Sequence, residues 1–150
     1  MRALAPNLFA SPEQIVEKSI SLSRADRGGS VSVAGPDSLA AMISLCRDGF
    51  DHVECARQAT SACADETSDV LLVTGMMSPE ALSGVLNRTC RLLRDGGVLV
   101  VQLQYPRDDD AVRAALNAAG MNVASTLFDL SAGCLVSHTV ERPAALRKAC

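Results

Sequence analysis

The sequence has no basic surplus, no long apolar run and no closely spaced cysteine pair, and each absence removes a class of function. Its 14 Lys and Arg stand against 17 Asp and Glu, for a formal charge of −3. Nothing there would displace counterions from nucleic acid. No apolar stretch approaches the ~20 residues that span a bilayer. The opening MRALAPNLFASPEQ has only a short apolar stretch, broken by Pro6 and Asn7, and does not read as a signal peptide. Cys46, Cys55, Cys63, Cys90, Cys134 and Cys150 form no Cys-x-x-Cys pair, and His52 and His138 stand apart from any cysteine cluster. No metal site is expected on that spacing. Spaced cysteines on apolar segments suit small buried thiols in a reducing compartment, which points to the cytoplasm, with Cys150 exposed. Internal repeats and low-complexity tracts are also missing.

What remains is the profile of a soluble globular chain. The 150 residues, 48% hydrophobic and 21% charged, suffice for one domain with its own core. That domain is expected to comprise an N-terminal helix over about 11–25, a core over about 30–140 and a tail over 141–150. Ser11-Pro12-Glu13-Gln14 opens the helix with a capping serine, proline at the first helical position and an acid in the first turn. Ile15, Ile20 and Leu22 give it an apolar stripe, and the glycines of RADRGGS stop it.

Strands and helices then alternate. Val31 to Ala34 reads as a short strand, and Pro36 to Arg47 as a helix with Leu39, Ile43 and Cys46 on one face. DHVECA is a second strand, and SDVLLVTG is a continuous apolar run of the kind buried parallel strands show. Ser78-Pro79-Glu80 opens a helix carrying Leu82, Val85, Leu86, Cys90 and Leu93, ended by Asp95-Gly96-Gly97. VLVVQLQ is the most strand-like run of all. DDDAVRAALNAAG is a helix, whose leading acids Asp108 to Asp110 satisfy its dipole without a divalent ion. MNVASTLFDL and CLVSHTV form a hairpin about SAG. The pattern predicts a three-layer αβα sheet of about six strands, mostly parallel, with an antiparallel strand in the C-terminal hairpin.

SDVLLVTGMMSPEALSGVLNRTCRLLRDGGVLVVQLQ resembles the second half of a class I S-adenosylmethionine-dependent methyltransferase. Asp69 opens that family's fourth strand, and the Arg91–Arg94 segment with Gly96-Gly97 leads into its fifth. AAGMNVASTLFDLSAGCLVSHTV matches its last helix and terminal strands. The resemblance spans roughly Ser30 to Val140 and implies a Rossmann-type fold. The first half departs from the pattern. Of the family's G-x-G-x-G loop only Gly35 survives, with Asp37 and Leu39 at the other glycine positions and Val33 where an acid belongs. Ala56 falls near the place of the ribose-binding acid, with Glu54 two residues earlier as a substitute or as a solvated edge residue. Only RQATSACADETS lies between Ala56 and Asp69, too little for the family's third strand and its helix.

The resemblance places cofactor contacts at Gly35, Asp37, Glu54, Asp65, Thr74 and Gly75. Asp65-Glu66 matches the acidic turn that touches the adenine amino group, or is a solvated loop. AGPDS is either an altered binding loop, with Asp37 and Ser38 as polar contacts, or a plain strand-to-helix turn. Tyr105, the sole tyrosine, is the one candidate to hold a substrate at the mouth, or it simply caps a strand end; no histidine or paired carboxylate stands there as a base. Met76 and Met77 are expected to pack, and His52 and His138 to be structural. The departures favour a methyltransferase-like domain without methyl transfer, and with no cofactor, acting as a regulatory or protein-interaction module. It would self-associate or bind a protein, possible homodimerisation included, and the edge left by the missing strand would be covered by the N-terminal helix or another subunit. The alternative is an active small-molecule methyltransferase with a rebuilt S-adenosylmethionine site. A dinucleotide oxidoreductase fits less well, since its glycine loop and ribose acid are equally absent.

Overall fold

The structure is a computed structural model that describes residues 11–56, 67–131 and 133–143. Cys63, Asp65, Glu66 and residues 144–150 of the tail lie outside the described residues. Helix α1, Pro12–Ser23, starts as its sequence dictates. Ser11 Oγ accepts from the Gln14 backbone N–H, and Gln14 Oε1 accepts from the Ser11 N–H, a reciprocal capping box. Its end differs from expectation: Arg24 takes the left-handed conformation, φ 55°, and donates back to Ile20 O before the glycines are reached.

Eleven further spans complete the described fold: β1 Ser30–Ala34, α2 Ser38–Arg47, β2 His52–Cys55, β3 Ser68–Val73, α3 Pro79–Thr89, a 3₁₀ turn Cys90–Leu92, β4 Leu93–Leu103, a second 3₁₀ turn Pro106–Asp108, α4 Asp109–Ala118, β5 Asn122–Asp129 and β6 Cys134–Glu141. The strands form one sheet in the order β2-β1-β3-β4-β6-β5. β1, β2, β3 and β4 run parallel, while β6 pairs antiparallel with both β4 and β5. This is the expected mixed αβα sheet. Among the described residues β2 is an edge; residues 57–66, between it and β3, lie outside them.

Strand alternation sorts the core onto two faces. Val31, Val33, Val70, Leu72 and Val100 meet Val16 of α1 and Ala41 and Leu45 of α2. Leu71, Val73, Leu99 and Val101 meet Leu82 and Leu86 of α3 and Val112 and Leu116 of α4. At the amino-terminal end of the sheet, Asp69 ties three strands together. Its Oδ2 accepts from the Ser30 N–H at 2.9 Å, and its carboxylate pairs with Arg94.

Three expectations need correction. α2 begins at Ser38, not Pro36, and buries Ala41 and Leu45, while Leu39, Ile43 and Cys46 face outward. The buried face is the one that carries Ser38, Ala41, Ser44 and Leu45, with Leu45 as its single large apolar anchor. We expect Leu45→Ala to cost about 3 kcal/mol, as cavity-forming core changes do. Leu39→Glu is expected to stay within about 0.5 kcal/mol, as on an ordinary surface. Urea unfolding of both variants checks the assignment.

α3 closes at Thr89, so Cys90 lies in the 3₁₀ turn and Leu93 already belongs to β4. Asp95-Gly96-Gly97 falls inside β4, at the register break between the Ser68–Leu93 and Val70–Val98 pairs. α1 does not cover the β2 edge either. It lies against α2, β4 and β6, because its apolar stripe meets the exposed middle of the sheet.

Candidate functional site

In an open α/β sheet the binding crevice forms at the carboxyl ends of the strands, where the order of connections reverses. Here that point lies between β1 and β3, and two turns interlock over it. Thr74 N–H donates to Ala34 O at 3.0 Å, and Asp37 N–H donates to Thr74 O at 3.3 Å. Gly35, at φ +95°, makes this possible: a Cβ there would stand 2.3 Å from Thr74 O. Gly75, at φ +96°, is held reciprocally, since its Cβ would stand 3.0 Å from Pro36 Cδ. Its N–H donates to Gln102 Oε1 at 2.8 Å. Both glycines are therefore required by the turns themselves.

A space opens on each side of this knot. Toward α3, a hollow of about 290 Å³ is lined by Gly35, Ser38, Ala56, Met77, Val85 and Arg88, among others. Ala56 closes the end of β2, its N–H donating to Val33 O at 2.7 Å. No carboxylate lines this hollow among the described residues. Toward α1, a cleft of about 170 Å³ is lined by Thr74, Gln102 and Asp37, with Ile15, Val16 and Ala41 as apolar walls.

The structure brings together Gly35, Asp37, Thr74 and Gly75, but not the remaining candidates. Glu54 is exposed on the edge strand and lines neither space; Asp65 lies outside the described residues. Tyr105 is exposed beyond the end of β4, with the Arg107 guanidinium 5.0 Å from its ring centre. Met77 is partly buried against the core, whereas Met76 is exposed.

Gln102 was not among the candidates, yet it stands beside Thr74. Val73 and Val101 are register partners, so the next residues of β3 and β4 share the α1 face. That alternation was the available signal.

A second polar group lies away from this mouth. His138, fully buried on β6, contacts Asp109 Oδ1 through Nε2 at 2.7 Å and Thr126 Oγ1 through Nδ1 at 2.8 Å. Arg113 donates to both Thr126 Oγ1 and Asp109 Oδ2. With Nε2–H directed at the Asp109 carboxylate, Nδ1 is left to accept a hydrogen bond from the Thr126 hydroxyl, whose oxygen in turn accepts from Arg113. The result is a closed, satisfied network. The cysteines divide likewise: Cys90 and Cys134 are buried and Cys46 is exposed. Burial pushes the Cys90 thiol up to about 12, against a smaller opposing pull from Arg142. It stays protonated at neutral pH and is no nucleophile.

No protein-family model matches this chain, and no curated protein sequence matches it. Solved structures do. A protein-(glutamine-N5) methyltransferase (release factor-specific) from Alicyclobacillus acidocaldarius is similar over 95% of this chain and 100% of its own, with 18% identity and a TM-score of 0.52. A precorrin-6y C5,15-methyltransferase from Geobacter metallireducens covers 91% and 94% respectively, at 14% identity and a TM-score of 0.53. A protein in the NADB-Rossmann superfamily from Streptococcus agalactiae covers 94% and 69%, at 13% identity and a TM-score of 0.54. The chain has the class I methyltransferase-like, Rossmann-type fold. At these identities the likeness concerns the fold and leaves the chemistry to the site.

Proposed function

We propose that this is a methyltransferase-like domain that transfers no methyl group and works as a regulatory or protein-binding module. The observation that carries this reading is the hollow beside Gly35. Ala56 occupies the end of β2, where a ribose would need an acid, and the charged residue lining the hollow is Arg88. A nucleoside there would lose the carboxylate that orients its hydroxyls. The interlocked turns add to this, because Gly35 already spends its missing Cβ on Thr74 O.

Exposed apolar side chains support the interaction half of the reading. Leu39 and Ile43 stand out from α2, and Leu127, Phe128 and Leu130 from the outer strand β5 and its turn. Such residues on an edge strand suit a protein partner or a second copy of the chain.

Titration with S-adenosylmethionine, or with its demethylated product, under a melting-temperature readout tests the proposal. A working pocket would stabilise the folded state by preferential binding. The expected result is no shift at millimolar ligand. A clear shift that vanishes in Asp37→Ala would instead establish a rebuilt cofactor site and an active methyltransferase.

A further inference from the structure

We propose that the cleft beneath α1 is a binding site for a small uncharged molecule with one hydroxyl or carboxamide end and an apolar body. The inference deepens the binding-module reading and rests on it, because an adenosyl cofactor seated over the strand ends would compete for the same space.

Thr74 carries the argument. The residue is 3% exposed, and its Oγ1 is the one buried side-chain polar atom without a hydrogen-bond partner among the described residues. A buried hydroxyl left unpaired is destabilising. Nothing in the fold requires it: Thr74 continues a strand of apolar residues, and valine has its shape. A buried hydroxyl with no protein partner, on a residue that lines a cleft, points to a partner bound in that cleft.

The cleft is large enough to supply the missing partner. Its volume, about 170 Å³, is close to the roughly 150 Å³ of a cavity that admits benzene and well above the ~30 Å³ share of one water. Gln102 sits next to Thr74, with its Oε1 taken by the Gly75 N–H, so its amide nitrogen remains to donate. Ile15, Val16 and Ala41 form apolar walls. Charge narrows the ligand class further. The charged residue lining the cleft is Asp37, exposed at the rim, with no side-chain capping bond to hold it. Its carboxylate repels anions. At the depth of Thr74 a cation would find no counter-charge, so the ligand's polar end is neutral.

Benzyl alcohol and phenol are suitable probes for the full chain, with benzoate as the anionic control, followed by amide NMR shifts. The expected outcome is saturable binding of both neutral probes near 1 mM, about what such small ligands reach. Benzoate should bind at least about tenfold more weakly, from Coulomb repulsion by Asp37. In Thr74→Val, benzyl alcohol binding should fall about tenfold, and the ligand-free melting temperature should rise by about 3 °C. Ala41→Val narrows the cleft from the opposite wall and should also weaken both probes. The proposal is overturned if neither probe binds, which would leave the cleft to water. It is equally overturned if Thr74→Val binds as the parent does, or if Ala41→Val leaves binding intact. Binding of S-adenosylmethionine is read separately: it would sink the module reading, whereas failure of the aromatic probes alone sinks only the site described here.

Discussion

Gly35→Ala is expected to destabilise the protein by about 4 kcal/mol, the sum of backbone strain and a forced displacement. A side chain at φ +95° is strained in itself, by about 1–2 kcal/mol. The added Cβ would also stand 2.3 Å from Thr74 O, a backbone atom fixed by two strands and unable to yield cheaply. Separating the turns would break the Asp37–Thr74 and Thr74–Ala34 hydrogen bonds as well. Gly84, inside α3, is the control, since a Cβ there meets only Arg88 Nη1 at 3.7 Å. Gly84→Ala should therefore gain about 0.5–1 kcal/mol from helix propensity. Chemical unfolding of the two variants should separate them by several kcal/mol in opposite directions. Equal effects would mean that the turns do not interlock as described.

Asp109→Ala should cost about 3 kcal/mol, from the uncompensated polar groups it leaves behind. Its carboxylate accepts from His138 at one oxygen and from Arg113 at the other. His138 is wholly buried and has no route to water once that acceptor is gone. Arg113 is different: its side chain is 49% exposed, so Arg113→Ala is expected to cost under about 1 kcal/mol. The ordering matters more than either value. If the arginine proved the costlier loss, the network would be a surface feature rather than the tie between α4 and the terminal hairpin.

The fold was legible because each strand and helix is locally consistent. Ser11 and Ser78 cap where they stand, the apolar run 70–73 is buried on both faces, and β5 pairs antiparallel with β6 as a hairpin would. The wrong face of α2 shows where pattern fails. A stripe of Leu39, Ile43 and Cys46 reads as core, but the helix turns Ala41 and Leu45 to the sheet, and two faces of similar apolar content are not told apart by periodicity. Of the residues that the resemblance singles out, Gly35, Asp37, Thr74 and Gly75 lie together at the strand ends. Gln102 could have been found by carrying the strand alternation one residue further. The partnership of His138 with Asp109 spans 29 residues and depends on how α4 lies across β6. The unpaired state of the Thr74 hydroxyl is a property of three dimensions alone.

The position of β6 between β4 and β5 has a consequence for how the molecule is made on the ribosome. β5 is synthesised before β6, yet among the described residues its one sheet neighbour is that following strand. Until residues 134–141 emerge, β5 cannot join the sheet, and the edge of β4 that β6 will pair with stays open to chance encounters. β6 thus acts as a keystone, holding β4 on one side and β5 on the other. Nascent chains halted before it would be expected to aggregate rather than rest as a smaller folded core.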